Sequence, residues 1–267
     1  PLGRLQAAFG RVHRSVRLKP EPRMAEGSFH VLDYVELMGF GPRGWGLLML
    51  HAALMTIAVS CAAFVLGSVL GAVIAWARIE GNRLLQMAAD AYTTVLRGIP
   101  DLLVIYLLYF GGSEALTALA HLLGAKGFVG VDAFAAGAIA VGIISGAYQS
   151  EIFRGAYQAI DRGELEAARS VGMPRWLLFR RIIVPQALRF AIPGLGNVWQ
   201  LALKESALIS VVGLTEILRQ AQVGAGSTRQ PFAFFITAAA LYLVLSTISG
   251  WGFQRAEAVG MRGVRRS

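Results

Sequence analysis

Ionisable and polar side chains interrupt the apolar runs of this 267-residue chain at a few positions, and their types suit electrostatic rather than bond-making chemistry. Arg97 and Asp101 stand four apart late in one run, Glu151 closes another, and Asn197, Lys204 and Glu205 lie within a third. An ionisable group at membrane depth is costly unless it faces a partner or a water-filled path. A carboxylate on such a path would favour an α-ammonium or a cationic side chain, so at least one of Glu151, Asn197 and Glu205 is expected to face it. Lys204 and Glu205 point roughly 100° apart on a helix and cannot easily satisfy each other. Each needs a partner elsewhere, and bonding to neighbouring spans is the alternative role. Arg97 and Asp101 could face each other on one helix as a structural charge pair, or Arg97 could simply mark the cytoplasmic interface.

Other chemistries lack their residues. There is no His-Glu-x-x-His, no Gly-x-Ser-x-Gly and no cluster of His with carboxylates, since His13, His30, His51 and His121 are scattered. No Gly-x-x-x-x-Gly-Lys-[Ser/Thr] phosphate loop occurs, so the chain is not expected to hydrolyse ATP. Cys61 is the single cysteine, which excludes an internal disulfide and a cysteine metal cluster. No catalytic residue, metal site or cofactor is expected. A chain with 55% hydrophobic and 15% charged residues is lipid-embedded by composition. Its net charge of +9 comes from arginines lying between apolar runs, where positive-inside retention explains them better than nucleic-acid binding does.

The elements that must hold these side chains follow from the apolar runs, each long enough to cross a bilayer. Spans are expected over 47–76, 84–110, 133–153, 190–212 and 232–253. In the first, Gly67 and Gly71 stand four apart, a spacing that permits close helix packing. The second is atypical, interrupted by Arg97, Gly98, Pro100 and Asp101. Residues 111–132 carry no basic excess and suit an outside loop, whereas 154–189 is strongly basic and belongs in the cytoplasm. Five crossings with a basic cytoplasmic C-terminus place the N-terminus outside. Residues 1–23 are basic and oppose that orientation, so they are expected to be a disordered leader outside the working protein, with the natural start at or near Met24. The remaining division is a periplasmic segment over 24–44, a transmembrane domain over 45–256 containing a cytoplasmic loop at 160–186, and a cytoplasmic tail over 257–267.

Within that loop, Glu164 to Val171 is rich in helix formers, Gly172 permits a left-handed cap, and Pro174 suits the first turn of a second helix. A compact helical hairpin is a docking element by shape, with Val171, Met173 and Leu177 available as an apolar knob. The spacing Glu166-Ala167-Ala168, three residues, Gly172, nine residues, Ile182, one residue, Val184-Pro185 resembles the EAA loop of ABC importer permeases, with Val184 where that family favours leucine. The run Arg97-Gly98-Ile99-Pro100 resembles the family's second-span signature, and Lys204 to Gly213 its fourth-span signature. Together they are similar to the histidine, arginine, octopine and glutamine branch of polar amino acid permeases.

The resemblance implies an all-α membrane protein with five transmembrane helices and a cytoplasmic coupling-helix hairpin, the type I ABC importer permease fold. It assigns ATPase coupling to Glu166, Ala167, Ala168, Gly172 and Met173. The bland alternative is that these small residues only allow tight turn packing. It also implies partners: an ATP-binding cassette ATPase dimer, a second permease subunit identical or homologous to this one, and a periplasmic solute-binding protein delivering an amino acid at the bacterial inner membrane. An intramembrane enzyme and a proton-coupled secondary transporter are the competing classes. The first lacks paired catalytic groups, and the second is at odds with five spans without an internal repeat.

Overall fold

The first span expected from sequence is a single helix that buries mostly small residues and exposes most of its large ones, with Met49 and Val59 as buried exceptions. In the computed structural model, which describes residues 31–41 and 44–261, two units are distinguished. Among the described residues, the first contains one short helix, α1 (Val31–Leu37). The basic leader expected over 1–23 lies outside the described residues, as do residues 262–267 of the tail.

The second unit begins with α2 (Gly46–Glu80), followed by α3 (Arg83–Gly98), α4 (Asp101–Leu122), α5 (Ala133–Gln158), α6 (Arg162–Ser170), α7 (Arg175–Leu178), α8 (Val184–Glu205), α9 (Ile217–Thr228) and α10 (Pro231–Gly260). Among the described residues, four helices are long and apolar enough to cross a membrane: α2, α4, α5 and α10. The expected fourth span corresponds to α8. Pro185, Pro193, Gln186, Asn197, Lys204 and Glu205 dilute its apolar character below that of the other four. It continues into a 3-10 turn, Ser206–Val212, ended by Gly213 at φ +97°.

The second expected span needs correcting. Pro100 cannot donate to a helix ladder and drives its predecessor out of the helical region, so Ile99 is extended at φ −99°, ψ 140°. The run over 84–110 is thereby cut in two. Its first half, α3, is amphipathic, with Arg83, Asp90 and Arg97 on it. The spanning helix is α4, which reaches Leu122 through a π turn at Leu107–Gly111 and takes up half of the expected outside loop.

Helices α2 and α5 share the most extensive contact in the bundle. Gly67, Gly71, Gly142 and Gly146 line this seam. A Cβ on Gly71 would come within 2.9 Å of the Gln149 Cβ and 3.0 Å of the Ser150 backbone nitrogen. With lipid as apolar as any side chain, helices associate through such close packing and through internal hydrogen bonds. Gln149 supplies the bonds: its amide nitrogen donates to Ser145 Oγ at 2.8 Å and to the Phe64 carbonyl at 3.2 Å, while its oxygen accepts from Ser68 Oγ at 2.7 Å. Gly71→Leu is therefore expected to cost about 1–3 kcal/mol by overpacking, seen as a lower thermal midpoint in detergent. Gly252→Leu, where a Cβ meets open space, is expected to leave the midpoint in place. Equal losses in both would remove this account of the seam.

Candidate functional site: a cytoplasmic hairpin, an arginine cluster and a buried carboxylate

The hairpin is built locally. Asp161 caps α6 by accepting from the Gly163 backbone nitrogen at 2.7 Å. Gly172 adopts φ +75°, and the backbone nitrogens of Gly172 and Met173 close the turn onto the carbonyls of Arg169 and Ala168 at 3.0 and 3.2 Å. Leu165 and Ala168 on α6 pack with Ile160 and Leu178 in a small buried cluster, against which Met173, Ile182 and Ile183 rest. Gln186 donates to Glu164 and ties the hairpin to α8.

This packing divides the five residues assigned to coupling. Ala168 and Met173 face the hairpin's own core, whereas Glu166, Ala167 and Gly172 are exposed. The expected knob is also rearranged: Met173 and Leu177 are half-buried, and the large apolar side chains left outside are Val171 at 78% exposure, Trp176 at 69% and Phe179. Trp176 and Phe179 stack with ring centroids 6.1 Å apart. Neither belongs to the expected knob of Val171, Met173 and Leu177: Leu177 shares a helix with Trp176 but is half-buried where Trp176 is exposed.

A π turn over Phe179–Ile183 joins α7 to α8. Such a turn shifts the carbonyl register, and it ends two residues before Pro185, which cannot donate to a helix ladder. The hairpin thus leads directly into the helix that ends at Glu205.

Glu151 sits at the centre of an arginine cluster. Its Oε1 accepts from Arg78 at 2.6 Å and lies 3.8 Å from Arg97, and its Oε2 accepts from Arg154 at 2.9 Å. Arg78 also bonds Asp90 at 2.7 Å. The cluster joins the ends of α2, α3 and α5. Among the described residues no ion pair links Arg97 to Asp101. Pairing at i,i+4 requires one continuous helix, and the break at Ile99 and Pro100 removes it. Arg97 instead lies over the Tyr148 ring at 5.6 Å and beside Glu151.

Glu205 is buried at 5% exposure, and neither of its carboxylate oxygens has a hydrogen-bond partner among the described residues. Asp101 comes close enough to interact with it electrostatically, though outside hydrogen-bond geometry, and both act on Tyr148. Lys204 points away and is exposed, as is Asn197 on the same helix. The three residues expected near a path therefore occupy different settings: Glu151 in an arginine cluster, Asn197 on an outer face, and Glu205 unpartnered inside. A further buried carboxylate, Glu216, was not singled out from sequence. It caps α9 by accepting from the Leu218 and Arg219 backbone nitrogens at 2.9 and 2.8 Å, and it accepts from Tyr242 Oη at 2.7 Å. An acidic residue directly before a helical run is a capping signal that could have found it.

A family model described as a binding-protein-dependent transport system inner membrane component matches residues 64–257. The chain is 58% identical over 235 residues to the octopine transport system permease protein OccQ of Rhizobium radiobacter, covering 88% of this chain and 99% of the relative. It is 38% identical over 206 residues to the histidine/lysine/arginine/ornithine transport system permease protein HisQ of Escherichia coli K12, covering 77% of this chain and 90% of that one. A crystal structure of an amino acid ABC transporter with histidines superposes with a TM-score of 0.70 at 31% identity, over 87% of this chain and 99% of that chain. On these matches the chain belongs to the binding-protein-dependent transport system inner membrane components, the multi-pass membrane permeases of ABC importers.

Proposed function

We propose that this permease carries cationic, arginine-, histidine- or octopine-like amino acids inward across the bacterial inner membrane. One observation carries the reading: the Glu205 carboxyl group, with Asp101 beside it, is buried in an apolar bundle and has no basic partner among the described residues. A guanidinium or ammonium on the cargo would pair with the carboxylate form of this group during passage. The names of the similar permeases for octopine and for histidine, lysine, arginine and ornithine support the same chemical class. Glu205 is thus the path residue, with Asn197 on the exposed face of the same helix as a second candidate. Glu151 is the third candidate, and its three arginine neighbours favour a structural role for it.

Glu166, Ala167, Ala168, Gly172 and Met173 form the coupling hairpin that docks on a partner ATPase dimer. That dimer hydrolyses ATP, and this chain does not. A second permease subunit completes the path, and a periplasmic solute-binding protein delivers the cargo. Five crossings, with α8 as the fourth, put the N-terminus in the periplasm and the C-terminus in the cytoplasm. Alkaline phosphatase fused in the loop at Lys126 is expected to be active, and a fluorescent reporter after Ser267 to be folded in the cytoplasm. If both positions report the same side, the count of crossings is wrong. Uptake tests the cargo: cells carrying the complete operon are expected to accumulate labelled arginine or octopine in a manner that depends on this chain, and labelled glutamate not at all. Glutamate uptake of equal size would overturn the cationic reading.

A further inference from the structure

Where α2 ends, a cavity of about 380 Å³ opens between it, α3, α5 and the start of α6, walled by Arg78, Arg154 and Arg162 with Gln86, Asp90 and Gln158. A second hollow of about 420 Å³ shares Tyr157, Gln158 and Arg162 with it and adds Glu166 and Arg169. Arg78 and Arg154 are partly committed to Glu151 and Asp90, and that same Glu151 is also shared with Arg97. Arg162 has no acidic group within ion-pair reach among the described residues. The wall therefore keeps an excess of guanidinium, with forked donors that match a phosphate group.

The cavity lies at the edge of the apolar belt. The charge-free run of α2 ends immediately before Arg78, and Trp76, Leu84 and Met87 are exposed around this level. Aromatic side chains gather at the headgroup level, and basic pockets between spans on the cytoplasmic side hold anionic headgroups. We infer that this arginine-walled cavity binds a phosphate-bearing anion, supplied either by an anionic phospholipid headgroup of the cytoplasmic leaflet or by soluble phosphate. Asp90 does not oppose this, because Arg78 at 2.7 Å already neutralises it. The inference takes its cytoplasmic side from the orientation proposed above and needs no transport for its test, so the two can fail separately.

The test is native mass spectrometry of the full chain in mild detergent with added phosphatidylglycerol, phosphatidylcholine or inorganic phosphate. Phosphatidylglycerol is expected to stay bound in preference to the zwitterionic lipid. Arg162→Gln is expected to lower the bound fraction about fivefold, while Arg189→Gln, an exposed arginine outside both hollows, leaves it unchanged. Binding of phosphatidylglycerol that inorganic phosphate does not displace assigns the anion to the lipid. A phosphate adduct that is equally sensitive to Arg162→Gln assigns it to soluble phosphate. Equal retention of both lipids with no phosphate adduct, or full binding in the Arg162→Gln variant, overturns the inference.

Discussion

Replacing Glu205 with Gln is expected to reduce arginine uptake by about thirtyfold or more, the scale of removing one partner of a buried charge pair. The amount of assembled transporter is expected to stay the same. Gln keeps the size and shape of Glu and removes the charge, so packing around residue 205 survives while the electrostatic attraction does not. Among the described residues Asp101 is the ionisable group beside Glu205, and no basic side chain would be left unpaired by the change. If Glu205 instead fixed the fold through neighbouring spans, the same substitution would lower assembly and leave the transport of each surviving complex intact. Normalising uptake to the quantity of purified complex separates the two, and unchanged transport of every amino acid tested removes Glu205 from the path.

The second large effect is expected at the hairpin. Gly172→Val places a β-branched residue at φ +75°, where strain of about 1–3 kcal/mol is typical. A Cβ there meets nothing within 4 Å, so the penalty is conformational rather than steric. The turn must relax, which detaches Met173 from the cluster of Ile160, Leu165, Ala168 and Leu178 and displaces the exposed Glu166 and Val171. Uptake and substrate-stimulated ATPase activity of the assembled transporter are expected to fall together by about tenfold, with membrane insertion unaffected because no span is touched. Gly163→Ala lies in the same hairpin with an ordinary φ and serves as the control. Normal stimulation in Gly172→Val would remove the coupling assignment.

The hairpin was legible in the sequence because everything that shapes it is local. Asp161, Gly172 and Pro174 act on neighbours within a few residues, and the structure places the two helices where the pattern of formers and breakers put them. The spans were legible as a class but not in their limits. A window averaged across Pro100 merges α3 with the start of α4, and the true second span shows only when the proline is taken as a boundary. Partnerships between charges were not legible. Glu151 meets Arg78, which lies 73 positions away, and no spacing rule reports such a pair. The exposure of Met173 was not legible for the same reason: it turns inward because Ile160, Leu165, Ala168 and Leu178 converge into a cluster that receives it.

The seam between α2 and α5 has a thermal consequence. A water-soluble core loosens on cooling because its driving force comes from water released at apolar surfaces and fades at low temperature. Gly67, Gly71, Gly142 and Gly146 meet their neighbours inside lipid, where no such release takes place, and the Gln149 bonds close the contact. Dispersion and hydrogen bonding, both enthalpic, hold this pair together with the entropy of the displaced lipid, so the contact lacks the water-release term that fades on cooling.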